Sequence, residues 1–162
     1  MKRVIFGFAA GLVIGSAVHS VGAQDARIEG MNVNHVLIRV PNVDEASRFY
    51  GDKFGFKEAF AVRNQDGTPA FTYLQVGRDT FLELQPANAN NPPGIGHIGL
   101  EVGNAKDAVL QLKMRGLQPR EASPSQRTGA VLSTVQGTPG VSFELLEFPI
   151  GSLGRKAMDS WR

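Results

Sequence analysis

The sequence predicts an α+β fold built from two tandem βαβββ modules, at residues 32–87 and 95–149. The segment HVLIRVPNVDEAS, which begins at His35, aligns without gaps with HIGLEVGNAKDAV, which begins at His97, and the two share His, Val, Asn and Ala at matching positions. Both segments also change from the alternating pattern of a strand to the spacing of an amphipathic helix. Internal similarity of this kind indicates a duplicated supersecondary unit.

The first strand of each module is expected to carry its histidine on one face and branched apolar residues on the other. The residues that share the histidine face are His35, Leu37 and Arg39 in the first module and His97, Gly99 and Glu101 in the second. Because the two strands are equivalent in the repeat, we expect Glu101 to pair with Arg39 across a pseudo-twofold axis.

A helix is expected to follow each of these strands. Asn42 and Asn104 each precede an apolar residue and are followed three residues later by an acidic one. An Asn N-cap with an acidic first turn is typical of a helix start. Each helix then reaches a glycine, Gly55 or Gly116, which suits a left-handed cap at its C-terminal end.

Segments separated by turn residues predict three further strands in each module. They lie at residues 57–63, 70–76 and 80–85 of the first module and at 117–121, 130–135 and 141–148 of the second. The Asn- and Pro-rich residues 88–94 form the linker between the modules. Residues 151–162 form a C-terminal tail whose apolar side chains fall near helical spacing, so we expect a short helix there.

Residues 1–23 are expected to be a secretory signal peptide. Lys2 and Arg3 precede the uncharged run Val4–Val18, and small residues up to Ala23 suit a cleavage site. This apolar run is shorter than the roughly 20 residues of a membrane-spanning helix. We therefore expect a periplasmic or secreted protein with no stable membrane association after cleavage; an uncleaved anchor is the alternative.

Cleavage at this point would change the charge and the histidine count of the chain. The full sequence has 17 Lys+Arg and 15 Asp+Glu, so loss of Lys2 and Arg3 would leave equal numbers of basic and acidic residues. A net charge of zero gives no excess of basic residues that would indicate nucleic-acid binding. The chain has no cysteine, which excludes disulfides, Cys-ligated zinc, iron–sulfur clusters and thiol nucleophiles.

Two histidines and two glutamates occupy equivalent positions in the two modules. Of the three histidines, His19 lies in the signal segment, and His35 and His97 remain. Glu83 follows the first of these by 48 residues and Glu144 follows the second by 47, each in the last strand of its module. The alternative interpretation is that these histidines are polar strand-edge residues and that both glutamates face solvent.

The pattern predicts one divalent metal ion held by four ligands, namely His35, Glu83, His97 and Glu144. Two imidazoles and two carboxylates suit Zn²⁺, Ni²⁺, Mn²⁺, Fe²⁺ or Co²⁺, whereas Ca²⁺ sites use more oxygens and no imidazole. Four protein ligands would leave one or two coordination positions open to water or substrate, as a catalytic metal requires.

These segments, together with the closing strand TPGVSFELLEF, resemble the vicinal oxygen chelate superfamily of glyoxalases, bleomycin-resistance proteins and ring-cleaving dioxygenases. The resemblance covers residues 32–148 and implies that the two modules form an open, barrel-like cup around one metal. The four candidate ligands match the family's ligand positions. The set of two His and two Glu looks most like the glyoxalase I branch, whereas the ring-cleaving dioxygenases use two His and one Glu.

The resemblance implies a metal-dependent lyase or isomerase that chelates a small substrate through vicinal oxygens, and the signal segment adds that this enzyme is exported. Glu144 or Glu83 would act as general base, and Arg39 would hold an anionic group of the substrate. Arg127, in the loop before the seventh strand, is a weaker candidate for that role. Two alternatives are an extradiol-type dioxygenase and a non-catalytic small-molecule binding or resistance protein of the same fold. A homodimer would also fit, because some family members build active sites between subunits.

Overall fold

The computed structural model describes residues 27–162, so the expected signal peptide at residues 1–23 lies outside the described residues. Within the described range the chain forms eight strands and three helices. In chain order they are β1 (Asn32–Val40), α1 (Val43–Phe54), β2 (Lys57–Arg63), β3 (Pro69–Gly77), β4 (Thr80–Pro86), β5 (Gly94–Glu101), α2 (Ala105–Met114), β6 (Ser123–Pro124), β7 (Val131–Gln136), β8 (Ser142–Glu147) and α3 (Leu153–Asp159). None of these helices is long and apolar enough to cross a membrane.

The eight strands form one sheet in the order β2-β3-β4-β1-β5-β8-β7-β6. The first and last strands of each module pair in parallel, β1 with β4 and β5 with β8, and β1 pairs with β5 antiparallel across the junction of the modules. Strands β2 and β6 lie at the two edges, so the sheet is open. The predicted α+β class with two like modules is confirmed.

Both long helices begin where the sequence predicts. The side chains of Asn42 and Asn104 accept hydrogen bonds from the backbone N–H groups of Glu45 and Asp107, at 3.1 and 3.0 Å. Each bond satisfies a donor that the first turn of a helix leaves unpaired. Helix α1 ends at Gly55, whose φ of 74° lies in the left-handed region that glycine enters without steric cost.

The predicted strand at residues 117–121 is wrong. This segment is irregular, and the strand of this module is the two-residue β6 at Ser123–Pro124. The irregular segment bonds to β7 at Arg120, whose backbone N–H donates to the Thr134 carbonyl and whose carbonyl accepts from the Ser133 hydroxyl. Pro119 has no N–H group to donate, so a regular ladder cannot run through the segment.

Strand alternation divides the apolar side chains between the two faces of the sheet. On one face, α1 packs on β3 and β4 around Leu74 and Leu84, and α2 packs around Leu145. A third cluster lies on the other face of the sheet and joins strand residues of both modules to α3. Its members are Tyr73, Phe81, Ala130, Leu146, Phe148, Ala157 and Met158. This third cluster lies on the same face as the site described below.

Helix α3 is tested by Met158→Ala. The Met158 side chain is 2% exposed within the third cluster, so its removal should leave a cavity and lower the free energy of unfolding by about 2–5 kcal/mol. Met114, at the end of α2, is 80% exposed, so Met114→Ala is a matched control with an expected change below about 0.5 kcal/mol. Urea denaturation followed by circular dichroism measures both, and equal stabilities would contradict the packing of the tail.

Candidate metal centre

The structure brings the four predicted ligands to one point at the junction of the modules. His35 lies on β1, Glu83 on β4, His97 on β5 and Glu144 on β8. One potential ligand atom from each side chain lies within 4.8 Å of the others. In both modules the glutamate is in register with the residue two positions after the histidine, Leu37 or Gly99, so His and Glu share one face of the sheet.

The distances between the ligand atoms fit a shared ion. His35 Nε2 lies 2.9 Å from His97 Nε2, 3.2 Å from Glu83 Oε2 and 3.8 Å from Glu144 Oε2. His97 Nε2 lies 3.7 Å from each of the same two carboxylate oxygens. Ligand atoms bound to one ion at roughly 2.0–2.2 Å stand about 3–4.4 Å apart. The cluster therefore needs only small side-chain shifts to close around an ion.

The charges of the cluster also favour a bound metal ion. Within residues 27–162, neither Glu83 nor Glu144 forms a salt bridge with a Lys or Arg side chain. Two carboxylates removed from water without a cation are costly, and a divalent ion would balance both. Imidazole nitrogens together with carboxylates are a donor set typical of Zn²⁺, Mn²⁺, Fe²⁺, Co²⁺ and Ni²⁺. The residues present thus fit the expected group, and their chemistry does not select one metal.

Asn34 sets the tautomer of His35. Its side-chain amide donates to the backbone carbonyl of Asp79 at 3.0 Å, and its Oδ1 lies 3.2 Å from His35 Nδ1. Because a carbonyl oxygen only accepts, Asp79 orients the amide, and Nδ1 of the imidazole must carry the proton. The other ring nitrogen, Nε2, faces the cluster. A register shift between Val33 and His35 allows the side chains of neighbouring residues to meet in this way.

Gly99 provides the space that the His35 ring occupies. The two residues are directly opposite each other in the β1–β5 pair. A Cβ atom on Gly99 would overlap Cε1 and Nδ1 of the imidazole. Leu37 holds the position equivalent to Gly99 in the first module and lies opposite His97. The repeat is therefore asymmetric where it meets the site, and His35 is the more deeply buried histidine.

Hydrogen bonds hold Glu83 firmly in place. The Tyr73 hydroxyl donates to its Oε2 at 2.9 Å, and the Gln85 amide donates to its Oε1 at 2.8 Å. Burial favours the neutral acid, but hydrogen bonds with the two histidines and Gln85 outweigh it and hold the pKa of Glu83 well below its usual range. Burial and the nearby carboxylates raise the pKa of the Tyr73 hydroxyl, so it stays a proton donor.

Glu144 is held more loosely than Glu83. No side chain among residues 27–162 other than the two histidines lies within polar contact of its carboxylate. Burial raises the pKa of Glu144, an effect that His97 opposes and the charge of Glu83 reinforces. The two carboxylates therefore differ: Glu83 is an anchored anion, and Glu144 is freer to move and to accept a proton.

A cavity of about 150 Å³ opens beside the cluster, and Glu83 and Glu144 form part of its wall. Both modules contribute to it, together with Gly154 of α3. The remaining wall residues are mainly aromatic or aliphatic: Phe60, Phe71, Tyr73, Ala130, Leu132, Leu146 and Phe148, with Gln85, Ser125 and Thr128 as polar neighbours. Any open coordination position next to the two carboxylates would therefore face an apolar space.

Neither predicted anion-binding arginine lines this cavity. The guanidinium of Arg39 lies over Gly96 of the neighbouring strand, where a Cβ would come within 2.9 Å of Cζ. Arg127 is exposed and donates to Asn64 at 3.5 Å. The expected pair of Glu101 with Arg39 is also wrong, because Arg155 of α3 lies 3.7 Å from the Glu101 carboxylate instead.

Four residues of the site were not anticipated from the sequence. Gln85 shares strand parity with Glu83, so the alternating pattern of β4 could have indicated it. Tyr73 faces Glu83 only because of the β3–β4 register, and Gly99 faces His35 only because of the β1–β5 register. No local pattern signals the bond of Asn34 to the loop carbonyl of Asp79.

The fold and the site define a protein in which two like βαβββ modules share one candidate metal centre. The family model described as "Glyoxalase/Bleomycin resistance protein/Dioxygenase superfamily" matches residues 32–145, and the chain belongs to this superfamily. The family resemblance seen in the sequence is thereby confirmed.

Relatives with assigned activities are distant. The mitochondrial methylmalonyl-CoA epimerase of Mus musculus is 27% identical over 108 residues, which cover 60% of this chain and 60% of that protein. The chain therefore matches less than two thirds of that relative's length. The lactoylglutathione lyase of Salmonella typhimurium is 25% identical over 127 residues, 72% of this chain and 93% of that protein.

A solved structure supports the fold. The methylmalonyl-CoA epimerase from Mycobacterium tuberculosis superposes with a TM-score of 0.65 at 21% sequence identity, covering 76% of this chain and 92% of that one. At this level of identity the likeness speaks for the architecture and not for the reaction.

Asn34→Ala tests the tautomer argument. Loss of the acceptor for the Nδ1 proton should weaken Zn²⁺ binding about 10–100-fold, as loss of outer-shell partners of a ligating histidine typically does. Asn32→Ala is the control, because Asn32 is exposed on the same strand and its side chain donates to the Gly30 carbonyl, away from the cluster. Competition with a chelator measures the affinity, and ¹⁵N NMR of the His35 ring reports the tautomer. Wild-type affinity together with an unchanged ring spectrum would contradict the assignment.

Proposed function

We propose that this protein is a metal-dependent enzyme that binds a small substrate through two neighbouring oxygens and moves a proton on the adjacent carbon. The observation that carries the proposal is the meeting of two histidines and two glutamates beside a cavity, with one carboxylate anchored and the other free. A bound divalent ion supplies a Lewis acid that polarises the substrate oxygens and stabilises developing negative charge. Membership of a superfamily with epimerase and lyase relatives supports the same class of reaction.

In this proposal His35, His97 and Glu83 would hold the metal throughout, and Glu144 would be the fourth ligand, the one that can leave the metal. The N–H group at His35 Nδ1 donates to Asn34 Oδ1, so Nε2 is the ring nitrogen available as a ligand. Tyr73 and Gln85 keep the Glu83 carboxylate oriented while substrate enters. Ligands whose orientation is set in advance lose little entropy on binding, which favours a well-defined site.

Glu144 is the general base in this proposal. Its carboxylate is part of the cavity wall, so it faces the space in which the substrate carbon would lie. It also lacks the Tyr and Gln donors that anchor Glu83. A general base has to reach the proton it takes and to shift slightly as it does so. The sequence left both glutamates open for this role, and the unequal hydrogen bonding favours Glu144.

The apolar wall of the cavity excludes water from the reacting atoms. Phe60 stacks on Tyr73 with ring centroids 4.6 Å apart, and Tyr73 meets the His35 ring edge-on at 5.2 Å. These rings separate the cluster from solvent on the side of the first module. In a dry site, charges and dipoles act on the substrate more strongly than they do in water.

The ring-cleaving dioxygenase alternative is less well supported. Its family pattern needs two histidines and one glutamate. Here Glu83 is a fourth potential ligand, with Oε2 3.2 Å from His35 Nε2 and both oxygens oriented by hydrogen bonds. The complete set favours the lyase or isomerase class. A homodimer, expected from the family resemblance, stays a prediction.

Metal content and three variants test the proposed function. Protein purified without chelator should contain one divalent ion per chain by mass spectrometry. His97→Ala should reduce metal affinity more than about 100-fold, because a direct ligand is lost. Glu144→Gln should retain most of the metal but lose proton exchange on the substrate carbon, followed by deuterium uptake across a panel of α-keto hemithioacetals. Glu83→Gln should lower both.

Glu58→Gln, at an exposed position on β2, is the matched carboxylate control and should change neither property. Catechols are assayed in parallel with the Fe²⁺- and Mn²⁺-loaded protein, because turnover of a catechol would favour the dioxygenase hypothesis. If the protein has no measurable affinity for Zn²⁺, Ni²⁺, Mn²⁺ or Fe²⁺, both enzyme hypotheses are wrong. The hypothesis of a non-catalytic binding protein then remains.

We also propose that the protein is exported. Support comes from Lys2 and Arg3, the uncharged run after them and the small residues ending at Ala23, all outside the described residues. Expression of the full chain in a bacterial host should place a protein that begins at Gln24 in the periplasm or the medium. Intact-mass measurement of each cell fraction checks this, and a full-length mass confined to the cytoplasm would refute export.

A further inference from the structure

We propose that the cavity beside the candidate metal centre receives an uncharged aryl group of the substrate and rejects an anionic one. This inference deepens the proposed function and rests on it for the role of the neighbouring oxygens. The size, the wall and the charge of the cavity carry the argument, each from residues that the structure describes.

The size of the cavity suits a single ring. Its volume of about 150 Å³ equals that of an engineered apolar cavity of about 150 Å³ that binds benzene. A substituent as large as a nucleotide or a peptide cannot enter such a space. A large polar carrier, if the substrate has one, would therefore lie outside the cavity.

The wall of the cavity offers aromatic faces and edges to a ring. Phe60 lies nearly parallel to Tyr73, and Phe71 approaches Tyr73 edge-on with ring centroids 6.0 Å apart. Leu132 and Leu146 close the side of the second module. Aromatic groups gain from offset-stacked and edge-to-face contacts beyond the burial of their area, so an aryl substituent gains more here than an alkyl chain of equal volume.

The charges of the wall reject an anion. Of the described residues that line the cavity, none is Lys or Arg, and the two that carry carboxylates are Glu83 and Glu144. Once the cluster has bound a divalent ion, those two charges are balanced and no positive charge remains for a substituent. A carboxylate in the cavity would lose its hydration and find no cationic partner, which is strongly unfavourable.

The three polar neighbours in the wall, Gln85, Ser125 and Thr128, are neutral and each already makes a hydrogen bond. The Gln85 amide donates to Glu83 at 2.8 Å. Ser125 Oγ accepts from the Thr128 backbone N–H at 3.2 Å, and Thr128 Oγ1 accepts from the Ala130 N–H at 3.3 Å. These bonds shape the loop after β6. The hydroxyl and amide hydrogens that remain are neutral donors and supply no positive charge to balance a carboxylate.

Three hydroxamates that chelate through the same two oxygens test the proposal on Zn²⁺-loaded protein by calorimetry. Benzohydroxamate should bind at least about 30-fold more tightly than acetohydroxamate, because only the former buries a ring. 4-Carboxybenzohydroxamate should bind at least about tenfold more weakly than benzohydroxamate, because its carboxylate has no partner. Equal affinity of the acetyl and phenyl compounds, or of the two phenyl compounds, would overturn the proposal.

A metal-independent measurement separates this proposal from the proposed function. Toluene and 4-toluate are added to the protein as purified, and the NMR signals of Phe71 and Leu132 are followed. Toluene should shift these signals and 4-toluate should not. Toluene binding without any Zn²⁺-dependent hydroxamate binding supports the cavity assignment and refutes the proposed function. Absence of toluene binding refutes the cavity assignment, whatever the metal does.

Leu132→Lys places a cation in the cavity wall and should reverse the order of the two phenyl hydroxamates. Leu110→Lys is the matched control, because Leu110 is 57% exposed on α2, and it should leave the wild-type order intact. If Leu132→Lys folds and still prefers benzohydroxamate, the charge argument is wrong. If it does not fold, the ranking of ligands by the wild-type protein decides the matter.

Discussion

The antiparallel pairing of β1 with β5 is the interaction on which the rest of the site depends. It joins the two modules at the centre of the sheet and sets Gly99 opposite His35 and Leu37 opposite His97. Each of these strands also pairs in parallel with the glutamate strand of its own module, in the same register. A slip of one residue would turn a histidine to the helix-covered face and separate the ligands. Three strand pairings thus determine the position of four side chains.

The second constraint is the cost of burying two carboxylates together. The protein treats them unequally: Tyr73 and Gln85 bind both oxygens of Glu83, while Glu144 has only the histidines for neighbours. In the proposed function this inequality assigns metal binding to Glu83 and proton transfer to Glu144, two tasks that compete for the same residue type. The cavity lies beside both carboxylates, and its aromatic wall makes the electrostatic effect of the cluster stronger than it would be in water.

Most of the fold could be predicted from local patterns. The Asn N-caps, the strand alternation and the repeat of His and Glu are encoded within a few residues, and the structure places these elements where the patterns indicate. The strand expected at 117–121 is absent because the segment Leu-Gln-Pro-Arg-Glu is mostly polar and Pro119 has no N–H group for a strand ladder. The substrate-binding role of the two arginines stays a prediction, and neither side chain lines the cavity. Which neighbour a long side chain contacts depends on the adjacent strand, and Arg39 lies over Gly96 of β5.

The sequence by itself determined the two modules and the four candidate ligands, because duplication and the two-residue period of a strand are visible without three-dimensional information. Only the tertiary structure decided that Glu83 is the anchored carboxylate, that Asn34 sets the tautomer of His35, and that the space beside the cluster is aromatic and lacks cations among the residues described. Those properties arise where strands and loops far apart in the chain meet, so they depend on pairing register and side-chain direction, which no local pattern records.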